Sequence, residues 1–177
     1  SPMFKTVLIV LAVLVIGALA FAASKPDTFR IQRSTRIQAP PDKVFALIND
    51  FHRWQAWSPY EKKDPDMKRE FSGNASGTGA AYAWDGDRNI GAGQMRIVES
   101  VPSSRVALSL EFVRPFKAHN NVEFTLQPTG NATEVTWAMH GPSPYVSKVM
   151  GLVFDMDEMI GEDFENGLAD LKSAAEY

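Results

Sequence analysis

Residues 104–140 read SRVALSLEFVRPFKAHNNVEFTLQPTGNATEVTWAMH. Apolar and polar side chains alternate through three runs, 104–114, 119–128 and 132–140, the period of strands with one buried face. Leu108, Leu110 and Phe112 share the apolar side of the first run, Val122, Phe124 and Leu126 that of the second, and Val135, Trp137 and Met139 that of the third. Only Arg114-Pro115-Phe116 and Pro128-Thr129-Gly130-Asn131 separate them, connections so short that the runs form antiparallel hairpins.

The same pattern extends toward the N-terminus. Strands are predicted at 68–73, 78–85 and 92–101, divided by turn residues at 73–77, 85–87 and 101–104. Tyr82 and Trp84, and Met95 and Ile97, lie on the apolar sides. Residues 29–38 alternate as well, with Phe29, Ile31, Arg33, Thr35 and Ile37 on one face, and Ala39-Pro40-Pro41-Asp42 ends that strand. Pro41 suits a first helical position, ahead of a Val44, Phe45, Leu47, Ile48 stripe. The aromatic segment 51–60 predicts a second short helix ending before Pro59. Its Trp54 and Trp57 share one side, as a core plug, a cavity gate or a membrane-interface pair.

On the C-terminal side, 144–174 reads as one long helix, with Ser143 as N-cap and Pro144 at the first position. Its stripe runs Val146, Val149, Met150, Val153, Met156, Ile160, Phe164, Leu168 and Leu171. Gly161 and Gly167 interrupt it, each lowering helicity by about 1 kcal/mol relative to Ala, and so point to close packing or a bend.

A strand, two short helices, six strands and a long helix make an α+β chain. An antiparallel sheet with one apolar face must be covered, and the last helix carries the stripe to do it. The order resembles the helix-grip fold of the START and Bet v 1-like (SRPBCC) superfamily, with its polyketide cyclase-like and dehydrase-like members. Ile37-Gln38-Ala39-Pro40-Pro41-Asp42-Lys43-Val44-Phe45, Trp54-Gln55-Ala56-Trp57-Ser58-Pro59 and Gly161-Glu162-Asp163-Phe164-Glu165-Asn166-Gly167-Leu168 resemble its membrane-tethered bacterial branch. The resemblance covers roughly residues 28–175 and implies a curved sheet of about seven strands wrapped around the long helix. No motif of a defined cyclase is matched.

Val7 to Ala23 is an unbroken apolar run, VLIVLAVLVIGALAFAA. As a helix it reaches roughly 25 Å, slightly under a bilayer's hydrocarbon core. We read residues 3–23 as a retained membrane anchor. A signal segment cleaved near Ala20-Phe21-Ala22, giving an exported protein, is the alternative, and a helix buried in a soluble oligomer is a third. Lys5 precedes the run and Lys25, Arg30 and Arg33 follow it, so orientation across the membrane is left open. Ser1-Pro2, ahead of Met3, are set aside as an appended pair. Residues 24–27 form a linker and 28–177 one domain.

A net charge of −3 without a basic run argues against nucleic acid as a partner. The absence of cysteine excludes disulfides, thiol nucleophiles and Cys-ligated metals. Two glycosylation sequons, Asn74-Ala75-Ser76 and Asn131-Ala132-Thr133, sit in turns and carry weight only in a eukaryotic secretory route. His52, His119 and His140 have no metal-ligand spacing, Gly91-Ala92-Gly93 is too short for a dinucleotide fingerprint, and no GxSxG elbow exists. No metal and no cofactor is expected.

The apolar side chains define a tentative cavity lining. Tyr82, Trp84, Met95, Leu110, Phe112, Phe124 and Trp137 come from the sheet and Trp57 from the short helix. Met150, Val153, Phe154 and Asp157 come from the long helix, where Met150 and Met156 suit an adaptable wall. Polar residues sharing apolar faces mark a polar end: Arg33 and Thr35 with Ile31, Glu99 with Ile97, and Arg114 with Phe112. A buried charge needs a partner, so Arg33 or Arg114 is expected to pair with Glu99 or Asp157.

The leading expectation is a membrane-tethered protein that binds a hydrophobic small molecule or lipid without catalysis. The alternatives are a cyclase or dehydrase-like enzyme using Glu99, Arg33 or Asp157 as a cavity acid or base, and an interaction module. In the latter, the helix from Asp155 to Glu176, with eight acids and one base, docks a membrane protein partner.

Overall fold

The computed structural model describes all 177 residues. The six strands expected between residues 68 and 140 form near their expected limits: β2 Lys68–Gly73, β3 Ala80–Asp85, β4 Ala92–Val101, β5 Arg105–Arg114, β6 Ala118–Thr129 and β7 Ala132–Pro142. With β1, Thr28–Ile37, they make one antiparallel sheet in the order β1-β7-β6-β5-β4-β3-β2. The meander brings β7 back to β1, pairing Ile31 with Met139 and Arg33 with Trp137. Antiparallel pairing puts directly opposed residues on one face, so the alternation in each strand adds to one continuous apolar inner face. Ile31, Met139, Val122, Leu108 and Ile97 form its central row.

The connection from β1 to β2 lies over that face. Helix α2, Pro41–Ile48, buries Val44, Leu47 and Ile48. A 3-10 turn, Phe51–Ala56, buries Phe51 and Trp54. A short helix α3, Pro59–Lys63, which the sequence did not signal, starts with Pro59 at its first position. Pro59 thus opens a helix as well as closing the preceding turn, because its fixed φ suits N1 and its missing N–H costs nothing there.

The expected long C-terminal helix is two helices. α4, Tyr145–Met150, ends at Gly151, and α5, Met156–Glu176, begins after Asp155. The Asp155 carboxylate accepts from the Glu158 N–H at 3.0 Å, a side-chain N-cap that starts a new helix. Pro144 occupies the N-cap position of α4 rather than its first turn. Only the later part of the stripe, with Ile160, Phe164, Leu168 and Leu171, packs against the core, and Val146, Met150, Val153 and Met156 are exposed.

Both interrupting glycines serve close packing. A Cβ at Gly167 would lie 2.7 Å from the Trp137 ring and 2.8 Å from Pro59. A Cβ at Gly161 would lie 2.1 Å from the Arg33 guanidinium, which crosses the helix there. Arg33 donates to the Asp157 carboxylate at 3.0 Å, to the Asp157 carbonyl at 3.1 Å and to Glu165 at 3.0 Å, clamping the start of α5 to β1.

The apolar run forms α1, Pro2–Ala23, one helix long and apolar enough to cross a membrane. It is exposed along its length except Ala22, at 0%. Helix α4 meets its end. The Tyr145 hydroxyl donates to the Leu19 carbonyl at 2.9 Å, and Lys148 pairs with Asp27 at 2.6 Å.

Two measurements check this packing. Gly167→Ala gains about 1 kcal/mol of helix propensity and meets rigid neighbours whose displacement costs about 1–3 kcal/mol. A net loss is expected, lowering Tm by a few degrees, while Gly151→Ala, whose nearest neighbours stand at 3.4 Å, is close to neutral. On the outer face, the Arg105 hydrogen bond, helped by Arg30, holds the Glu123 carboxyl below its usual range. A carboxyl lowered on folding contributes stability that is present above its unfolded pKa, about 4.3, and is lost as pH falls through the folded value. Wild type should therefore melt above Glu123→Gln at pH 7, with the gap closing below about pH 4.

Candidate functional site

The middle of the inner face is filled by aromatic rings. Trp57 stands edge-on to Phe124 at 5.7 Å and to Trp137 at 5.5 Å, and Trp137 stacks on Phe164 of α5 at 4.1 Å. The Trp54 indole N–H donates to the Ile48 carbonyl at 2.8 Å and that of Trp57 to the Leu47 carbonyl at 2.9 Å. Both tryptophans are therefore core plugs with their polar edges satisfied. The buried Trp137 N–H has no partner. Of the lining expected from the sequence, Trp57, Tyr82, Leu110, Phe124 and Trp137 are buried.

Toward the sheet end where β1 starts and β7 finishes, the face is less completely covered. Trp84, Met95, Phe112 and Ile90 are only half-buried. Trp84 packs edge-on to Phe112 at 5.6 Å, with room made by Gly93, where a Cβ would meet the Trp84 ring at 2.7 Å. Strand pairing sets Asn120 opposite Leu110 and Leu110 opposite Met95. Asn120 is 9% exposed and shares the inward parity of Val122 and Phe124. Its side-chain oxygen sits 2.6 Å from where a Cβ on Gly141 would be, and its carboxamide, without a partner in the chain, is not sealed from solvent. An amide that keeps solvent contact at the open edge of an apolar row is free to bond water or a ligand's polar group. Sequence reasoning passed over Asn120, although the parity that put Val122 inward also put Asn120 there.

Two of the three polar candidates face outward, each because of a β-bulge. Ile97 opposes Leu108 but Glu99 opposes Ala107, so Val98 is an extra residue and the strand's parity reverses after it. Glu99 consequently pairs with Arg105 on the outer side. In β5, Phe112 opposes Gly93 and Arg114 opposes Ala92, making Val113 the extra residue. Arg114 then reaches Asp85 at 2.7 Å. Arg33 does point inward and does pair with Asp157, as expected, but that pair clamps α5 rather than lining a cavity. Asp157 is exposed, as are Met150, Val153 and Phe154, because the break before α5 takes this segment off the sheet.

A buried polar cluster lies beside the row. Glu61 of α3 accepts from the Tyr82 hydroxyl at 2.6 Å and from Arg69 at 2.7 Å. Arg69 also donates to the Met67 carbonyl at 3.1 Å. Burial, then the Glu61 carboxylate, pushes the Tyr82 hydroxyl far above its usual pKa, so it is a hydrogen-bond donor throughout the physiological range. The cluster ties α3 to β2 and β3, and its groups bond one another. His52 stacks on Phe71 at 4.1 Å beside Asp50, and no group of three or more acidic or imidazole side chains could hold a metal.

A family model described as "Polyketide cyclase / dehydrase and lipid transport" matches residues 28–176. No curated protein matches the chain. Among solved structures, a protein from Chromobacterium violaceum is similar with a TM-score of 0.60 at 17% identity, over 86% of this chain and 99% of that one. The Aha1 dimer structure from Colwellia psychrerythraea gives 0.60 at 17%, over 84% and 96%. A protein of unknown function from Staphylococcus aureus gives 0.61 at 12%, over 85% and 96%. At these identities the likeness is one of fold.

Removing one partner from the Glu61 cluster leaves a buried charge behind. Arg69→Met is expected to destabilise by about 3–5 kcal/mol, and adding Glu61→Gln in the same chain to restore a large part of that loss. Thermal melts of the single and double variants measure it.

Proposed function

The chain belongs to the polyketide cyclase / dehydrase and lipid transport family, and we propose that it is a membrane-tethered carrier that binds a hydrophobic ligand without transforming it. Family membership brings hydrophobic-ligand binding with it. The observation that carries the reading is the incompletely covered apolar row at one end of the inner face, with the Asn120 amide at its open edge. Trp84, Met95, Leu110 and Phe112 offer apolar contact, and Asn120 offers one donor and one acceptor site to a ligand's polar group. A mostly apolar wall with one placed polar group is the general form of a small-molecule site. The groups a cyclase-like reaction would call on are engaged elsewhere: Glu99 and Arg114 on the outer face, Arg33 in the α5 clamp and Glu61 with Arg69.

The tether is residues 3–23, joined by the linker 24–27 to a domain of residues 28–177. The packing favours a retained helix over a cleaved one. Cleavage near Ala20-Phe21-Ala22 would remove Leu19, whose carbonyl accepts from Tyr145, and would cut next to Ala22, the one residue of α1 that is buried.

Native mass spectrometry of the full chain, released from lipid nanodiscs, is expected to show a retained lipid or quinone-sized mass. Asn120→Leu, close in volume, should fold normally and bind a polar-headed ligand about tenfold more weakly, the worth of one hydrogen bond of about 1.4 kcal/mol. Phe112→Asp should abolish retention. Absence of any retained mass across lipid and quinone panels would sink the proposal.

A further inference from the structure

A second group of apolar side chains is left uncovered outside the inner face. Val146 and Met150 on α4, Val153 and Phe154 in the connector, and Met159 on α5 are all exposed, Val153 at 78%. Five large apolar side chains within fourteen residues of a soluble surface are costly unless something covers them. Nothing in the chain does so.

Their position identifies the cover. Helix α4 is fixed beside the last turns of α1 by the bond from Tyr145 to the Leu19 carbonyl, the Lys148–Asp27 pair and the packing that buries Ala22. The Lys148 side chain is 9% exposed, its stem laid against protein and its ammonium reaching Asp27. At about 33 Å, α1 slightly exceeds the hydrocarbon thickness, so its last turn lies at the edge of the headgroup layer. Lys25 sits there over the Phe21 ring at 4.6 Å, the posture of an interfacial anchor. Helix α4 is therefore held at the level of the lipid headgroups, and its exposed apolar side chains continue the apolar surface of α1. The β5–β6 turn, with Phe116 exposed at 70%, is at the same end of the sheet as the β1 start.

Of the acids nearest this surface, Glu158 is exposed without an ion partner, as suits a headgroup layer rather than hydrocarbon, and the others are engaged. Asp155 caps α5, Asp157 is held by Arg33, and Asp27 by Lys148. The one base within 145–159, Lys148, is paired with Asp27, so the contact of this segment is apolar in origin.

We propose that residues 145–159, with Phe116 at the same end of the sheet, form an interfacial membrane-contact element, lying in the headgroup layer of the same bilayer that holds α1. This rests on the reading of α1 as a retained span. The element makes the domain a body seated on the membrane rather than one swinging on a four-residue linker, and it keeps the half-covered end of the sheet next to lipid.

The chain has no cysteine, so single labels are unambiguous. Full-length Leu11→Cys, Val153→Cys, Phe154→Cys and Gln127→Cys, carrying a polarity-sensitive fluorophore, are reconstituted in phosphatidylcholine vesicles with and without phosphatidylglycerol. Lipids bearing nitroxides at the headgroup or deep in the acyl chain report depth. Leu11 should be quenched by the deep label. Val153 and Phe154 should shift to the blue and lose most of their emission to the shallow label, equally in both lipids and at high salt. Gln127, exposed near the far hairpin, should respond to aqueous iodide alone. Val153 and Phe154 labels as open to iodide as Gln127 would overturn the proposal. So would labels shielded from both iodide and lipid nitroxides, since a protein would then be the cover. Failure at Leu11 as well would overturn the tether itself, which separates the two claims.

Discussion

A single helix cannot cover this sheet, and that mismatch of widths shapes the molecule. Seven strands at about 4.8 Å spacing span roughly 29 Å, whereas a helix with its side chains is about 10–12 Å across. Helix α5 lies over β1 and β7, where Gly161 and Gly167 let it approach closely. The remaining width is closed in the middle by α2, the 3-10 turn and the interlocked rings of Trp54, Trp57, Phe124 and Trp137. Those rings are rigid and large, so they fill the centre at little cost in side-chain freedom. What they do not reach is the row on β3, β4 and β5 at the end where β1 begins. The half-buried state of Trp84, Met95 and Phe112 follows from the geometry of one helix on a wide sheet.

That constraint also explains why Arg33 is on the inner face at all. The start of α5 has to be held at the sheet edge, beyond the aromatic cluster. A guanidinium laid across a glycine reaches two carboxylates and a backbone carbonyl on the helix at once. Arg suits this because its planar fork makes several directed bonds without losing its charge. Both carboxylates are more than half exposed, so solvent screens the clamp and its contribution is positional more than energetic.

The strands and the inward direction of most of their residues were legible because alternation is a local property of the chain. It failed where alternation itself is broken. Val98 and Val113 are ordinary strand residues with nothing to mark them as bulges, yet each reverses the parity of the charged residue that follows. A bulge is defined by the partner strand, which no single run of sequence contains. Asn120 is a different case: it shares the inward parity of Val122, and the sequence reading passed over it because an Asn at a strand start also reads as a turn residue. The stripe over 144–174 misled in a third way. Its period continues across Gly151 to Asp155, and the break depends on the Asp155 cap and on α4 having a different neighbour.

That neighbour is α1, and the two departures from a single helix support one another. Had α4 continued into α5, its apolar side chains would have had to lie on the sheet or face water. With the break, α4 turns away from the sheet to meet the end of α1, leaving the inner face near Phe112 and Trp84 without the cover a longer helix would supply. The linker of four residues spans at most about 14 Å, so the end of the sheet where β1 begins stays close to α1. One local feature, a helix-capping aspartate four residues after a glycine, therefore both docks the domain against its apolar helix and leaves the adjacent end of the apolar face accessible. A ligand taken from lipid would have only that short distance to travel.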